Sequence, residues 1–264
     1  MGIYILTAVQ RSGTGALGSL LNRSDEISYL GEVFRPDTQG IDYYYFSYLL
    51  KKAKENSEYI IPGSREIQFG RINEYFDYLQ SINTKKHTLI DIKYNSLHIM
   101  DQAWKNLTEE PTMIGYMLEH KIPVISLTRH NLIQLYVSAR LAEANNVWHA
   151  TESREIRHSS VTVNTDDVYW WMVLYDYEIE RMRYFLRHHP RQITLEYSQL
   201  FNPDGTLREH AEAKLESFFE CNGLKELKPE YIKQSDNDLR KKITNYDELC
   251  VRLSNTKFEW MLYE

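Results

Sequence analysis

The stretch TAVQRSGTGALGSLLN, residues 7–22, follows an apolar run and carries three closely spaced glycines. Gly13-Thr14-Gly15-Ala16-Leu17-Gly18 spells GxGxxG between an expected strand and the start of an expected helix, the context a dinucleotide fingerprint requires. In that fingerprint the first glycine follows the strand almost directly, whereas Gln10, Arg11 and Ser12 intervene here. Gly13 and Gly18 also frame the phosphate-loop pattern GxxxxGK[ST], but Ser19 stands at the lysine position and Leu20 at the hydroxyl position. Both groups that would hold terminal phosphates and magnesium are therefore missing. What remains is a strand, the turn Arg11-Ser12-Gly13-Thr14, and a helix whose first amides point at the turn. Free amides, the positive end of the helix dipole, one guanidinium and two hydroxyls make an anion site suited to a phosphate or phosphosulfate. The other reading is a tight turn with an exposed arginine and a well-capped helix.

Elsewhere in the chain, four runs read as buried parallel strands: IYILTAV (3–9), TLIDIK (88–93), PVISLTR (123–129) and ITLEYSQL (193–200). Each is continuously apolar or β-branched, as expected where helices cover both faces of a sheet. Helical patterns over 13–22, 41–55, 70–81, 132–144, 166–189 and 207–222 alternate with them. The alternation predicts an α/β fold with a central parallel sheet of about four to five strands flanked by helices, in one domain spanning 1–264. Ligands in such folds sit outside the carboxyl ends of the strands. The long helix opens on Asp166 and Asp167 and closes on Arg187, His188, His189 and Pro190, charges that suit its dipole. Its Trp171, Leu174, Tyr175, Met182, Phe185 and Leu186 are expected to face the core. The polar stretch 145–165 reads as a lid or acceptor-side loop, or as a plain surface connection.

The 264 residues suffice for one substantial core, and the net charge of −6 lacks the electrostatic footprint of a nucleic-acid binder. A small anionic ligand in a local basic pocket is the easier expectation. The two cysteines, Cys221 and Cys250, show neither metal-ligand nor disulfide-framework spacing. The opening MGIYILTAV is too short to span a bilayer and lacks the basic start and cleavage region of a secretory signal, so the expectation is a soluble cytoplasmic protein without membrane or nucleic-acid partners. Self-association is left open.

A second anion site is expected where the third run ends in Leu127-Thr128-Arg129. His130 and the helix cap Asn131 follow, and Ser138 lies about two turns along the helix. Arg129 and Ser138 would grip one phosphate between them. Singly, Arg129 reads equally as an ion-pair partner and Ser138 as a packed helix serine.

These residues resemble the sulfotransferases that use 3′-phosphoadenosine 5′-phosphosulfate, particularly bacterial enzymes related to trehalose and Nod-factor sulfotransferases. The resemblance rests on Arg11-Ser12-Gly13-Thr14 after the first strand and on an arginine and serine eight or nine residues apart, matched by Arg129 and Ser138. Shorter similarities lie at Gly31-Glu32-Val33-Phe34, Ile92-Lys93-Tyr94, Asn146-Val147-Trp148-His149, Leu195-Glu196-Tyr197 and the segment from Ile243 to Leu249. It implies a phosphate-loop-like sulfotransferase fold and a donor site of Arg11, Ser12, Gly13, Thr14, Gly15 and Ala16, with Arg129 and Ser138 on the 3′-phosphate and no metal. It also implies a base, assigned to Glu32, with Arg11 or Arg35 nearby to support its charged form. Lys93 would meet the developing charge on the bridging oxygen, or else is a strand-end lysine in solvent. Glu32 alternatively pairs with Arg35, and His98 and His149 are reserve bases.

The implied reaction moves a sulfuryl group to a hydroxyl or amine of a small-molecule or carbohydrate acceptor, with Tyr43, Tyr44, Tyr45 and Trp148 as candidate acceptor surfaces. Two other readings stand beside it: a small-molecule kinase or other nucleotide-dependent transferase, and a nucleotide-binding module without a working base.

Overall fold

The computed structural model describes residues 2–36, 41–147, 159–230 and 238–263. Five strands, β1 (Gly2–Ala8), β2 (Ile27–Tyr29), β3 (His87–Lys93), β4 (Val124–Thr128) and β5 (Gln192–Glu196), form an all-parallel sheet in the order β2-β3-β1-β4-β5. The expected α/β architecture is thus present. The unexpected strand is β2, whose three residues are too few to register as an apolar run and pair only with β3.

Helices cover both faces. The alternate residues Tyr4, Leu6 and Ala8 of β1 join Leu17, Leu20 and Leu21 of α1 (Thr14–Asn22) and Leu215 and Phe219 of α7 (Glu209–Phe219). Ile3 and Ile5 point the other way, into a core with α3 (Arg65–Ser81), α4 (Thr112–Glu119) and the end of α6 (Thr165–Leu186). The period-2 alternation of a strand buried on both sides accounts for this division. Tyr45 at the start of α2 (Tyr45–Glu55) adds to the second core. A third apolar cluster joins α5 (Leu132–Asn145), the first half of α6, Leu239 of the short α8 (Leu239–Lys242) and α9 (Tyr246–Leu253).

Caps set several helix starts. Asn131 caps α5 as expected, accepting from the Gln134 amide at 3.0 Å. α3 begins five residues before the expected 70, at Arg65, where the Ser64 hydroxyl serves as cap. Asn164 accepts from the Asp166 and Asp167 amides at 3.0 and 3.3 Å and starts α6. That helix stops at Leu186, and His189 turns inward: Nε2 faces the Met117 carbonyl at 3.1 Å, and Nδ1 accepts from the Arg191 amide at 3.1 Å. Leu174 is 63% exposed rather than in the core, because it lies roughly 120–160° around the helix from the buried Val168, Met172 and Leu186.

The expected loop 145–165 is shorter than its stated bounds. α5 runs through Asn145 and α6 starts at Thr165, while residues 148–158 lie outside the described residues. The described segment 159–164 is anchored: the Val161 amide donates to the Lys242 carbonyl at 2.7 Å, and Asn245 exchanges side-chain hydrogen bonds with the Val163 backbone at 3.0 and 2.9 Å. Among the described residues, no helix is long and apolar enough to cross a membrane. Cys221 and Cys250 are free thiols.

The sheet order positions the site. From β1 the chain crosses past β3 to the β2 edge, whereas from β4 it moves on to β5 at the opposite edge. The connections after β1 and β4 part in opposite directions, leaving a crevice at the carboxyl ends of these neighbouring strands.

Candidate functional site

Backbone handedness shapes the loop after β1. Arg11 at φ 65° and Gly13 at φ 92° are both left-handed, on either side of Ser12. Ser12 is fully buried, and its hydroxyl oxygen has no hydrogen-bond partner. Gly13 caps α1 through its backbone alone, and its carbonyl accepts from the Leu17 amide at 3.1 Å. The amides of Thr14, Gly15 and Ala16, in the first turn, have no intrahelical acceptor by position.

Two of the glycines make room for tyrosines. A Cβ on Gly13 would lie 2.2 Å from the ring of Tyr197, and a Cβ on Gly18 would lie 2.3 Å from the ring of Tyr29. The outer two glycines of the GxGxxG pattern are therefore explained by side chains lying against α1 and its cap. Ser19 is buried, donates to the Ala16 carbonyl at 3.0 Å and accepts from the Glu230 amide at 3.2 Å, so the position of a phosphate-loop lysine is occupied by a structural hydroxyl.

The turn after β4 meets this loop. Arg129 Nη1 donates to the Arg11 carbonyl at 3.3 Å, its Nη2 donates to Gln134 Oε1 at 3.0 Å, and its guanidinium lies 5.2 Å from the centre of the Tyr197 ring. Burial lowers the pKa of Arg11, with Arg129 acting in the same direction, and burial also lowers that of Arg129. Two desolvated cations therefore stand side by side at the crevice. Ser138 is present at this site, but its hydroxyl accepts from Arg11 Nε at 3.2 Å, and the neighbour that Arg129 takes on α5 is Gln134. The expected pairing of Arg129 with Ser138 is thus exchanged: one turn of helix places Gln134 nearer the strand end.

A third charged group lies on the α1 face of the sheet. The register pairs Asp91 with Leu6 and Lys93 with Ala8, so both side chains point to the same face as those residues. Lys93 is 4% exposed, which removes the solvent reading. Its ammonium donates to the Thr14 hydroxyl and to Asp91 Oδ2, the latter at 2.6 Å, and lies 3.4 Å from Glu32 Oε1. Tyr29 also donates to Asp91 Oδ2, at 3.3 Å. Burial drives the Asp91 carboxyl above the ordinary aspartate range, while Lys93 pulls it back down. Glu32 thus has Lys93 as an ion-pair partner, and its carboxylate acts on Arg11 in the opposite direction to burial, favouring the charged guanidinium.

Other expected groups are placed differently. Tyr45 is buried against Phe34 and Tyr75 and is no acceptor surface, while Tyr43 is half-buried against the same core. Tyr44 stays near Gly31. His98 is exposed and borders a cavity beside β3. Trp148 and His149 lie outside the described residues.

Sequence reasoning assigned no role to Asp91 or Gln134, and it quoted Tyr197 only within a short similarity. Asp91 carried a usable signal, a lone acid two residues before Lys93 in an otherwise apolar strand. Tyr197 obeys the strand-end rule that singled out Arg129.

A cavity of about 740 Å³ opens from this centre toward β5. Ala16, Arg129, Gln134 and Tyr197 line its inner wall, and Phe201, Arg208 and Lys228 lie farther out. No protein-family model matches the sequence, and no curated protein matches it.

Proposed function

We propose that the protein is a sulfotransferase using 3′-phosphoadenosine 5′-phosphosulfate, acting on a hydroxyl or amine. The observation that carries the reading is the contact between Arg129 and the Arg11 carbonyl, through which two half-buried cations from separate strand ends share one crevice. Like charges in a poorly solvated site repel, and a polyanion between them relieves that cost. The residues fit the donor in three further respects. Ser12 offers an unpartnered buried hydroxyl, the first turn of α1 offers amides, and the 740 Å³ cavity adds Arg208, Lys228 and aromatic walls on the nucleoside side. The kinase alternative is disfavoured by Ser19, whose hydroxyl is committed within the fold.

When bound, the donor supplies the sulfuryl group and accepts the departing electron pair on its phosphate. Arg11, Ser12 and the amides of Gly13 to Ala16 hold the 5′ end. Arg129 serves the 3′-phosphate, with Ser138 orienting Arg11. Lys93, fixed between Thr14 and Asp91, presents a buried positive charge where negative charge develops. Glu32 removes the acceptor proton, and its place beside Lys93 puts base and electrophilic group in one cluster.

Titration calorimetry with 3′,5′-adenosine bisphosphate, ATP and NAD tests the donor. The bisphosphate is expected to bind best, and Arg11→Ala or Arg129→Ala is expected to weaken it about 10- to 100-fold, the size of a lost charge-assisted contact. Equal binding of all three ligands, or of wild type and both variants, overturns the reading. Glu32→Gln separates enzyme from binding module: retained bisphosphate binding with abolished transfer supports the base.

A further inference from the structure

The 22-residue helix α6 carries an apolar stripe on its outer side. Trp170, Leu174, Tyr177 and Tyr184 are each at least 60% exposed. With Arg181 among them they follow one another at steps of four, three, four and three residues, the spacing of a two-stranded helical seam. The buried Val168, Met172, Met182 and Leu186 occupy the opposite side of the helix. A helix whose outer face met only water would place polar residues along that line.

Charge along α6 selects the partner. Asp166 and Asp167 stand in its first turn, and Arg183 and Arg187 stand at its end. Most of these charges are satisfied nearby. Arg181 lies 3.3 Å from Glu178, Arg183 pairs with Glu180, and Asp166 accepts from Arg252 at 2.6 Å. Asp167 and Arg187, at the two ends of the stripe, take part in no ion pair among the described residues. They are separated by about 30 Å of helix. The Arg187 guanidinium lies 3.7 Å from the centre of the Tyr184 ring, so the cation continues the stripe.

We infer that the protein forms a two-fold symmetric dimer in which α6 packs antiparallel against α6 of a second copy. With Tyr177 on the axis, Trp170 faces Tyr184 of the second copy, and Leu174 faces the aliphatic stem of its Arg181. Asp167 faces Arg187 at each end, so the symmetry makes that ion pair twice. A parallel arrangement would set acid against acid and arginine against arginine, with the two helix dipoles aligned. An aromatic side chain carries roughly 150–250 Å², so the four exposed residues offer on the order of 400 Å² of apolar surface per copy. Doubled, and with the charged ends added, this reaches the roughly 1,000 Å² at which specific interfaces begin. The inference stands apart from the sulfuryl-transfer reading, and its tests do not use turnover.

Sedimentation equilibrium of the wild-type protein is expected to show a dimer that dissociates on dilution through the micromolar range. Tyr177→Glu sets two carboxylates face to face on the axis and is expected to raise the dimer Kd about 100-fold with an unchanged far-ultraviolet circular dichroism spectrum. Asp167→Arg is expected to weaken the dimer about tenfold, and the exchange Asp167→Arg/Arg187→Asp to restore it. Under mild oxidation Tyr177→Cys is expected to crosslink to its own copy, whereas Trp170→Cys crosslinks only when combined with Tyr184→Cys. Wild type is the control for Cys221 and Cys250.

A wild-type protein that stays monomeric at about 100 μM overturns the dimer. Its flotation with phosphatidylcholine vesicles would also overturn the dimer and give the stripe to a membrane surface. A dimer indifferent to Tyr177→Glu lies on another face and overturns the assignment equally. Crosslinking of Trp170→Cys to its own copy overturns the antiparallel order, and a charge exchange without recovery overturns the register. The wild-type and charge-exchange measurements decide the matter even if Tyr177→Glu does not fold.

Discussion

Gly13 lies directly against Tyr197: a Cβ there would sit 2.2 Å from two ring carbons, and the glycine backbone is left-handed at φ 92°. Gly18 is similarly close to Tyr29, at 2.3 Å, but lies within α1 and is not among the positive-φ residues. Gly13→Ala is therefore expected to lose about 1–2 kcal/mol for the left-handed backbone, with the ring clash added. Trimming the ring in Gly13→Ala/Tyr197→Ala should relieve the clash alone, and it also removes the Arg129 stacking contact. Gly18→Ala combined with Tyr29→Ala should show far stronger compensation. Urea unfolding of the four variants and both tyrosine single variants measures this difference, and equal compensation in both cycles would contradict it.

Lys93 and Asp91 form a buried pair, with the ammonium 2.6 Å from Oδ2. Lys93→Met leaves a buried carboxylate without its cation and is expected to destabilise the protein by about 3–5 kcal/mol. Asp91→Asn/Lys93→Met removes both charges and should recover part of that loss. Transfer should not recover with it: removal of one stabilising donor typically lowers kcat about 10²- to 10³-fold. Denaturation curves read alongside kcat distinguish the two roles. Activity returning with stability in the double variant would make Lys93 merely structural.

His189 gives stability a pH dependence. Burial lowers its pKa below the ordinary 6.5, with the neutral ring held between the Met117 carbonyl and the Arg191 amide. Between the lowered folded value and 6.5 the unfolded chain binds more protons than the folded one, so stability rises with pH across that window. As pH falls through 6.5 and below, the stabilising contribution is lost. His189→Gln is expected to flatten this part of the Tm-against-pH curve, and an unchanged slope would assign it to other groups. His87, also buried and lowered chiefly by burial, contributes in the same sense and supplies the residual slope.

The parts of the site readable from sequence are those governed by local pattern. Apolar runs marked β1, β3, β4 and β5, and the strand-end rule picked out Arg11, Lys93 and Arg129. Features set by contacts between distant segments were not readable. Nothing near Gly13 announces Tyr197, and nothing in the spacing from Arg129 to Ser138 reveals that Ser138 binds Arg11 while Gln134 takes its place. α4 was missed because most of its residues, from Thr112 to Met117, are buried in succession, leaving no polar face to generate a period. β2 was missed because a three-residue strand takes its definition from its neighbour.

The hydrogen bond from Arg129 to the Arg11 carbonyl spans two strands whose following connections diverge. It braces the turn from outside, so the cradle is already shaped for the proposed donor. The ordering cost of association then falls mainly on the incoming molecule, and the same brace makes each arginine a determinant of where the other sits.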